Sequence, residues 1–73
     1  MGSERLRSDV TGKVWKILAR DGEQVDEGQV LVIFESMKME IPLEAPRAGK
    51  VAAVLVQEGE DITEGQDVVA FEG

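Results

Sequence analysis

The chain contains no cysteine, no histidine and no tyrosine. Without cysteine there is no disulfide framework, and a reducing compartment is acceptable for the fold. The joint absence of cysteine and histidine excludes the usual soft metal sites, Ser-His-Asp and Cys-His nucleophilic catalysis, and the commonest general base. Direct enzymatic activity is therefore the least favoured class of function.

Long apolar runs and an excess of positive charge are also missing. The longest apolar run, 51–56, is too short to span a bilayer, and the N-terminus has no apolar segment of the signal-peptide type. The net charge is −7, with acidic residues spread along the chain. This balance argues against nucleic acid and membranes as partners. We expect one small cytoplasmic domain, residues 1–73.

An internal repeat becomes visible when the sequence is shifted by 37 residues. Of the 24 pairs aligned from Gly12 onward, 12 are identical, and no gap is needed. The identical positions include Gly-Lys-Val, which begins at Gly12 and again at Gly49. Extending the register places the repeat halves at about 2–36 and 39–73. The chain is therefore predicted to be a duplicated unit whose halves are related by a pseudo-twofold axis.

Each half has the pattern of short β-strands separated by tight turns. Strand-like runs at 12–18 and 49–56 are each followed by an acidic-Gly turn, a very short strand and a Glu-Gly turn before the last strand. Turns at such close spacing, without a helical period, favour an all-β fold. Each half would supply four strands, and the run 30–34 is predicted to be a strand buried on both faces.

The stretch 35–40 reads Glu-Ser-Met-Lys-Met-Glu and lies between the strand-like run 30–34 and an extended segment, 41–46, that contains both prolines. We predict that it is the tip of a β-hairpin. The second strand is expected at a sheet edge, because proline cannot donate a hydrogen bond to a neighbouring strand. If the two halves are related by symmetry, this tip and the chain termini lie at opposite poles.

The residues at this tip do not suit a tight turn. Two-residue hairpin loops favour Asn-Gly or another glycine-bearing pair, because φ must be positive there. If Met37 and Lys38 form the loop, Glu35 faces Glu40 as a like-charge pair, which is mildly destabilising. Residues that violate the usual turn and strand-pairing preferences are expected mainly at functional sites. Lys38 is therefore the candidate functional residue.

Together, these motifs resemble a known family. The 35–40 stretch, the duplicated segments that begin at Gly22 and Gly59, and the Ala-Pro-x-x-Gly-x-Val motif at 45–51 resemble the biotinyl domain of biotin carboxyl carrier proteins. The likeness is greatest to small standalone biotin/lipoyl attachment proteins and covers about 6–72. It implies a flattened barrel-sandwich hybrid of two four-stranded antiparallel sheets with pseudo-twofold symmetry. The thumb of some bacterial carriers should be absent, because no insertion follows the first strand-like run.

The resemblance also implies a function. Lys38 would be the amine that a biotin protein ligase acylates, using biotinyl-adenylate, to form an amide with biotin. The tethered biotin would take up a carboxyl group at a biotin carboxylase subunit and deliver it at a carboxyltransferase subunit to an acyl-CoA or a 2-oxo acid. The domain would be a non-catalytic carrier. An exposed lysine amine is almost fully protonated at neutral pH, so its activation must come from another protein.

The neighbours of Lys38 receive separate interpretations. Met37, Met39 and Glu35 are assigned to the motif that the ligase recognises, in preference to core filling or acid–base chemistry. Glu40 is interpreted as a solvated strand end. Trp15 replaces an alanine of the second repeat and is predicted to be a partly buried core residue rather than a docking anchor.

Two alternative functions remain open on the same fold. A lipoyl carrier would have Asp-Lys-Ala or a close relative at the tip, where this chain has methionine on both sides of Lys38. An unmodified hammerhead domain, used as an interaction module as in some membrane-fusion adaptors, would need no Met-Lys-Met. The three functions differ in the mass that Lys38 gains.

Overall fold

The computed structural model describes residues 3–73, so that Met1 and Gly2, which begin the first repeat half, lie outside the described residues. Eight strands form two four-stranded sheets, ordered β1-β8-β6-β3 and β5-β4-β2-β7, with all neighbours antiparallel. The predicted all-β class is confirmed. The strands are β1 (Ser3–Arg7), β2 (Gly12–Ile17), β3 (Gln24–Val25), β4 (Val30–Ser36), β5 (Met39–Glu44), β6 (Gly49–Val54), β7 (Asp61–Ile62) and β8 (Asp67–Glu72).

The two sheets are built in the same way from the two repeats. A shift of 37 residues converts the order β5-β4-β2-β7 into β1-β8-β6-β3. The hydrogen bonds repeat as well: the Gly22 N–H donates to the Val51 carbonyl at 2.6 Å, and the Gly59 N–H donates to the Val14 carbonyl at 2.7 Å. The predicted pseudo-twofold symmetry is thus present in the strand pairing. Within residues 3–73 no ladder joins the sheets, so the barrel is not closed.

The core lies between the two sheets. Its side chains come in repeat-related pairs, of which Phe34 and Phe71 are the largest members, 2% and 0% exposed. Each fully buried side chain of this size contributes about 1.5–3 kcal/mol. The other residues of the core that are exposed by 2% or less are Val14, Leu31, Val32, Val51, Ile62, Val68 and Val69.

The run 30–34 is not buried on both faces, and that prediction was wrong. The β4–β5 register skips Leu31, which marks a bulge. Leu31 and Val32 are both fully buried, whereas Ile33 is only partly buried. A bulge adds one residue to a strand and lets two consecutive side chains face the same side. The unbroken apolar run therefore reflects one buried face and a bulge.

Trp15 is not a core residue, which corrects a second prediction. Its side chain is 46% exposed, and the Nζ atom of Lys16 lies 5.8 Å from the centroid of its ring. Trp15 follows the buried Val14, so the alternation of side chains along a strand directs it outward. The general preference of tryptophan for burial misled the prediction.

The connections between strands are short, and the first and last described strands, β1 and β8, are paired. Six residues, 18–23, join β2 to β3, so the predicted absence of a thumb is confirmed. Ser3 pairs with Glu72 in the β1–β8 ladder. A Cβ atom at Gly49, which follows the base of the β4–β5 hairpin, would lie 2.9 Å from the Cα atom of Gly73. Ser3 and Gly73 therefore lie beyond the base of that hairpin, away from its tip, whereas the predicted position of residue 1 lies outside the described residues.

Residues 3–73 contain no helix, and hence none that is long and apolar enough to cross a membrane.

Candidate functional site

Lys38 lies in the two-residue turn that joins β4 to β5. Ser36 pairs directly with Met39, so Met37 and Lys38 alone form the loop, as predicted. Their φ angles are 52° and 66°, which matches the positive φ that a type I′ turn needs at both central positions. For residues with a Cβ atom, this conformation costs roughly 1–2 kcal/mol each. The turn is thus built from residues that strain it.

The side chains around the turn point into solvent. Met37 is 91% exposed and Met39 is 62% exposed. Glu35 pairs with Glu40 across the hairpin as predicted, and both are exposed. Lys38 is also exposed, and among residues 3–73 it takes part in no ion pair. Its amine is therefore accessible to a partner protein at the end of a flexible four-carbon stem.

The tip of the hairpin is held by Thr11 and Gly12, at the start of β2. The Ser36 hydroxyl donates to the Thr11 carbonyl at 2.9 Å, and the Thr11 hydroxyl accepts from the Glu64 N–H at 3.0 Å. A Cβ atom at Gly12 would lie 2.2 Å from the carbonyl oxygen of Glu35, so only glycine fits there. These contacts give the flexible lysine stem a fixed support.

The hairpin brings together all four residues that were predicted for the site: Glu35, Met37, Lys38 and Met39. Thr11 and Gly12 were not predicted. Gly12 could have been found from the sequence, because it recurs in the second repeat as Gly49. Nothing in the sequence indicated that the Thr11 carbonyl would accept a hydrogen bond from the hairpin.

An open groove of about 420 Å³ runs beside the turn. On one side, Lys13 Nζ forms an ion pair with Asp61 at 3.1 Å, and both side chains are mostly exposed, so the pair contributes little to stability. Within the described residues, no cluster of three or more acidic, histidine or cysteine side chains could hold a metal ion. The groove is lined by Thr11, Gly12, Lys13, Glu35, Ser36, Met37 and Lys38.

An exposed amine at the end of a flexible stem, on a hairpin with a fixed tip, is accessible for attachment of another group. A family model described as "Biotin-requiring enzyme" matches residues 5–71. The chain belongs to the biotin/lipoyl attachment family. The match covers both repeats and the turn between them. The predicted family is confirmed, and biotin is confirmed as the cofactor that this kind of domain requires.

Two curated relatives of this biotin/lipoyl attachment domain are similar over part of their length. The biotinylated protein TB7.3 of Mycobacterium tuberculosis (strain ATCC 25618 / H37Rv) is 42% identical over 43 residues, which cover 59% of this chain and 61% of that protein. The biotin/lipoyl attachment protein of Bacillus subtilis (strain 168) is 46% identical over 39 residues, which cover 53% of each chain. The matched segments thus span little more than half of these relatives.

Two solved structures contain a region with the same fold. A single-chain, multi-domain long-chain acyl-CoA carboxylase matches with a TM-score of 0.91 and 34% identity, over 96% of this chain and 7% of that one. The urea carboxylase of Kluyveromyces lactis matches with a TM-score of 0.91 and 33% identity, over 99% of this chain and 6% of that one. In both carboxylases the matching region is a small part of a long chain.

Proposed function

We propose that this chain is a covalent biotin carrier and that biotin is attached to the Nζ atom of Lys38. The observation that supports this most directly is the position of Lys38, which is exposed in the two-residue turn between β4 and β5 and has no ion-pair partner among residues 3–73. Membership in a biotin-requiring family supplies the group to be attached. In this proposal Met37, Met39 and Glu35 form the surface that a biotin protein ligase recognises.

In the loading step, the Lys38 amine loses a proton and attacks the acyl carbon of biotinyl-adenylate held by the ligase. The amide bond forms, the bond between the acyl carbon and the phosphate oxygen breaks, and AMP leaves. The residues of this chain do not activate the amine, because the sequence has no histidine and the neighbouring Glu35 and Glu40 are exposed. The base and the activated acid must therefore come from the ligase. Loading removes one positive charge, which changes the net charge from −7 to −8.

In the carrying step, the chain would hold the attached biotin and perform no catalysis. Biotin, when attached, supplies a ring nitrogen that accepts a carboxyl group and later releases it. Lys38 supplies the flexible stem, and the Ser36–Thr11 hydrogen bond helps to fix the hairpin that carries this stem. We propose a biotin carboxylase and a carboxyltransferase as partners, because the fold recurs within two carboxylases. The location would be cytoplasmic, where ATP is available to the ligase.

The test is co-expression with a biotin protein ligase in medium that contains biotin, followed by intact mass measurement and a streptavidin blot. The wild-type chain should gain one biotin, and Lys38→Arg should gain none. A matched control replaces the three other lysines by arginine, Lys13→Arg, Lys16→Arg and Lys50→Arg, and should still gain one biotin. A wild-type chain that a competent ligase leaves unmodified would contradict the proposal.

The same measurement separates the two alternatives. It is repeated with a lipoate ligase in medium that contains lipoic acid. A lipoyl increment on Lys38 would indicate a lipoyl carrier, and no increment with either ligase would indicate an interaction module. We favour biotin because methionines flank Lys38 on both sides, where a lipoyl carrier would have Asp-Lys-Ala or a close relative.

A further inference from the structure

Met37 has the most exposed thioether in the described part of the chain. Its side chain is 91% exposed, against 62% for Met39, the other methionine within residues 3–73. Met39 belongs to β5 and pairs with Ser36, whereas Met37 lies in the turn and has no strand partner. Solvent-borne oxidants therefore reach the Met37 sulfur with less obstruction.

The folding of this chain gives no reason for a methionine at position 37. The side chain is absent from the hydrophobic core, and its φ of 52° is unfavourable for a residue with a Cβ atom. An exposed methionine with three rotatable bonds does suit a surface that must adapt to an apolar pocket of a partner. Such a role depends on the thioether remaining apolar.

We propose that Met37 is a redox-sensitive modification site, where oxidation to the sulfoxide by a hydroperoxide hinders the loading of Lys38. A lone pair of the Met37 sulfur attacks the outer peroxide oxygen, the O–O bond breaks, and a sulfur–oxygen bond forms. The sulfur loses two electrons, and the leaving oxygen takes the hydroxyl proton and departs as water or an alcohol. Methionine sulfoxide reductases reverse the change.

The effect on loading follows from the position of Met37. Met37 immediately precedes Lys38, so a ligase that holds the Lys38 amine must also accommodate the Met37 side chain. The sulfoxide oxygen is a strong polar group, and burying it without a hydrogen bond is costly. We expect kcat/KM for biotinylation to fall about tenfold or more, within the range that such burial produces. The inference rests on the proposed function.

The experiment uses two full-length variants, Met39→Leu and Met37→Leu, each of which leaves one oxidisable methionine at the hairpin. Both are treated with hydrogen peroxide, and peptide mapping by mass spectrometry follows the addition of one oxygen at each site. The initial rate of biotinylation by a biotin protein ligase is then compared for each variant before and after oxidation.

Met37 in the Met39→Leu variant should oxidise faster than Met39 in the Met37→Leu variant. Oxidised Met39→Leu should lose about tenfold or more in kcat/KM and recover it with methionine sulfoxide reductases. A third variant that combines Met37→Leu with Met39→Leu should show the same rate of biotinylation before and after peroxide treatment. Equal oxidation rates, or unchanged loading of Met39→Leu after oxidation at Met37, would overturn the proposal.

The unoxidised wild-type chain distinguishes this inference from the proposed function. If it is loaded normally and oxidation at Met37 changes nothing, only the redox inference fails. If the ligase does not load it at all, the proposed function fails, and the redox inference fails with it.

Discussion

Two glycines one repeat apart, Gly12 and Gly49, lie where the chain approaches the end of a neighbouring strand most closely. A Cβ atom would lie 2.2 Å from the Glu35 carbonyl oxygen at Gly12, and 2.4 Å from the Glu72 carbonyl oxygen at Gly49. Contacts this short with backbone atoms cannot be relieved by moving a side chain. The glycine is therefore required by steric fit, and at Gly12 it supports the strand that leads to the site.

Gly12→Ala should lower the free energy of unfolding by about 3 kcal/mol, because the added methyl group overpacks against backbone. The control is Gly22→Ala, where nothing lies within 4 Å but φ is +85°, and where the cost should be roughly 1–2 kcal/mol. Urea unfolding followed by circular dichroism measures both. A Gly12→Ala protein as stable as Gly22→Ala would contradict the steric account.

Single residues differed in how well the sequence predicted them. Lys38 could be predicted because an atypical turn and a family motif coincide there. Trp15 could not be assigned correctly, because its preference for burial and the strand alternation point in opposite directions. The role of Thr11 was not predictable, since its backbone carbonyl accepts the Ser36 hydrogen bond and any residue offers a carbonyl.

At the scale of elements, the β4–β5 hairpin combines regular pairing with an unfavourable tip. Its strands are paired from Val30 to Ser36, yet Glu35 faces Glu40, and both loop residues have positive φ. Strain of this kind persists where the surrounding structure fixes it and is concentrated at functional sites. The hairpin therefore gives up some stability to present Lys38 between two methionines.

Replacing the loop with the favoured turn sequence, Met37→Asn with Lys38→Gly, should raise the free energy of unfolding by about 1–3 kcal/mol. The same variant should not be biotinylated. The control, Met37→Leu with Lys38→Arg, keeps two side chains at positive φ and should stay within about 0.5 kcal/mol of the wild type. Urea unfolding tests the series. A less stable Asn-Gly variant would show that the turn is not strained.

The existence of the strands and their succession along the chain were predictable from the repeat and from the turn residues. The bulges were not. Leu31 and Val32 look like two members of an alternating strand, and only the register shows that both face the core. A bulge depends on the pairing of two strands, and a single strand sequence does not contain that information.

At the scale of the whole molecule, duplication separates the two outer strands, β1 and β8, from the site. The β4–β5 hairpin of one sheet corresponds, after the 37-residue shift, to the paired strands β8 and β1 of the other sheet. Ser3 and Glu72 are paired there, beyond the base of the hairpin that presents Lys38. This arrangement lets the domain be linked to other domains without obstructing its tip, which agrees with the small share of the two carboxylase chains that it matches.

Fusion of a folded protein to either end of the chain should therefore leave the rate of biotinylation unchanged. The control is insertion of the same protein into the 37–38 turn, which should abolish loading. Initial rates with one ligase preparation give the comparison. Slower loading of both terminal fusions would mean that the chain ends lie closer to the site than the strand pairing indicates.

The most direct test of the central claim is tandem mass spectrometry of the whole wild-type preparation, purified without avidin, because fragment masses locate the added group on an individual residue. The account predicts a biotin increment on Lys38 and unmodified side chains at Lys13, Lys16 and Lys50. Biotin on any of those three lysines, or a lipoyl increment on Lys38, would contradict it.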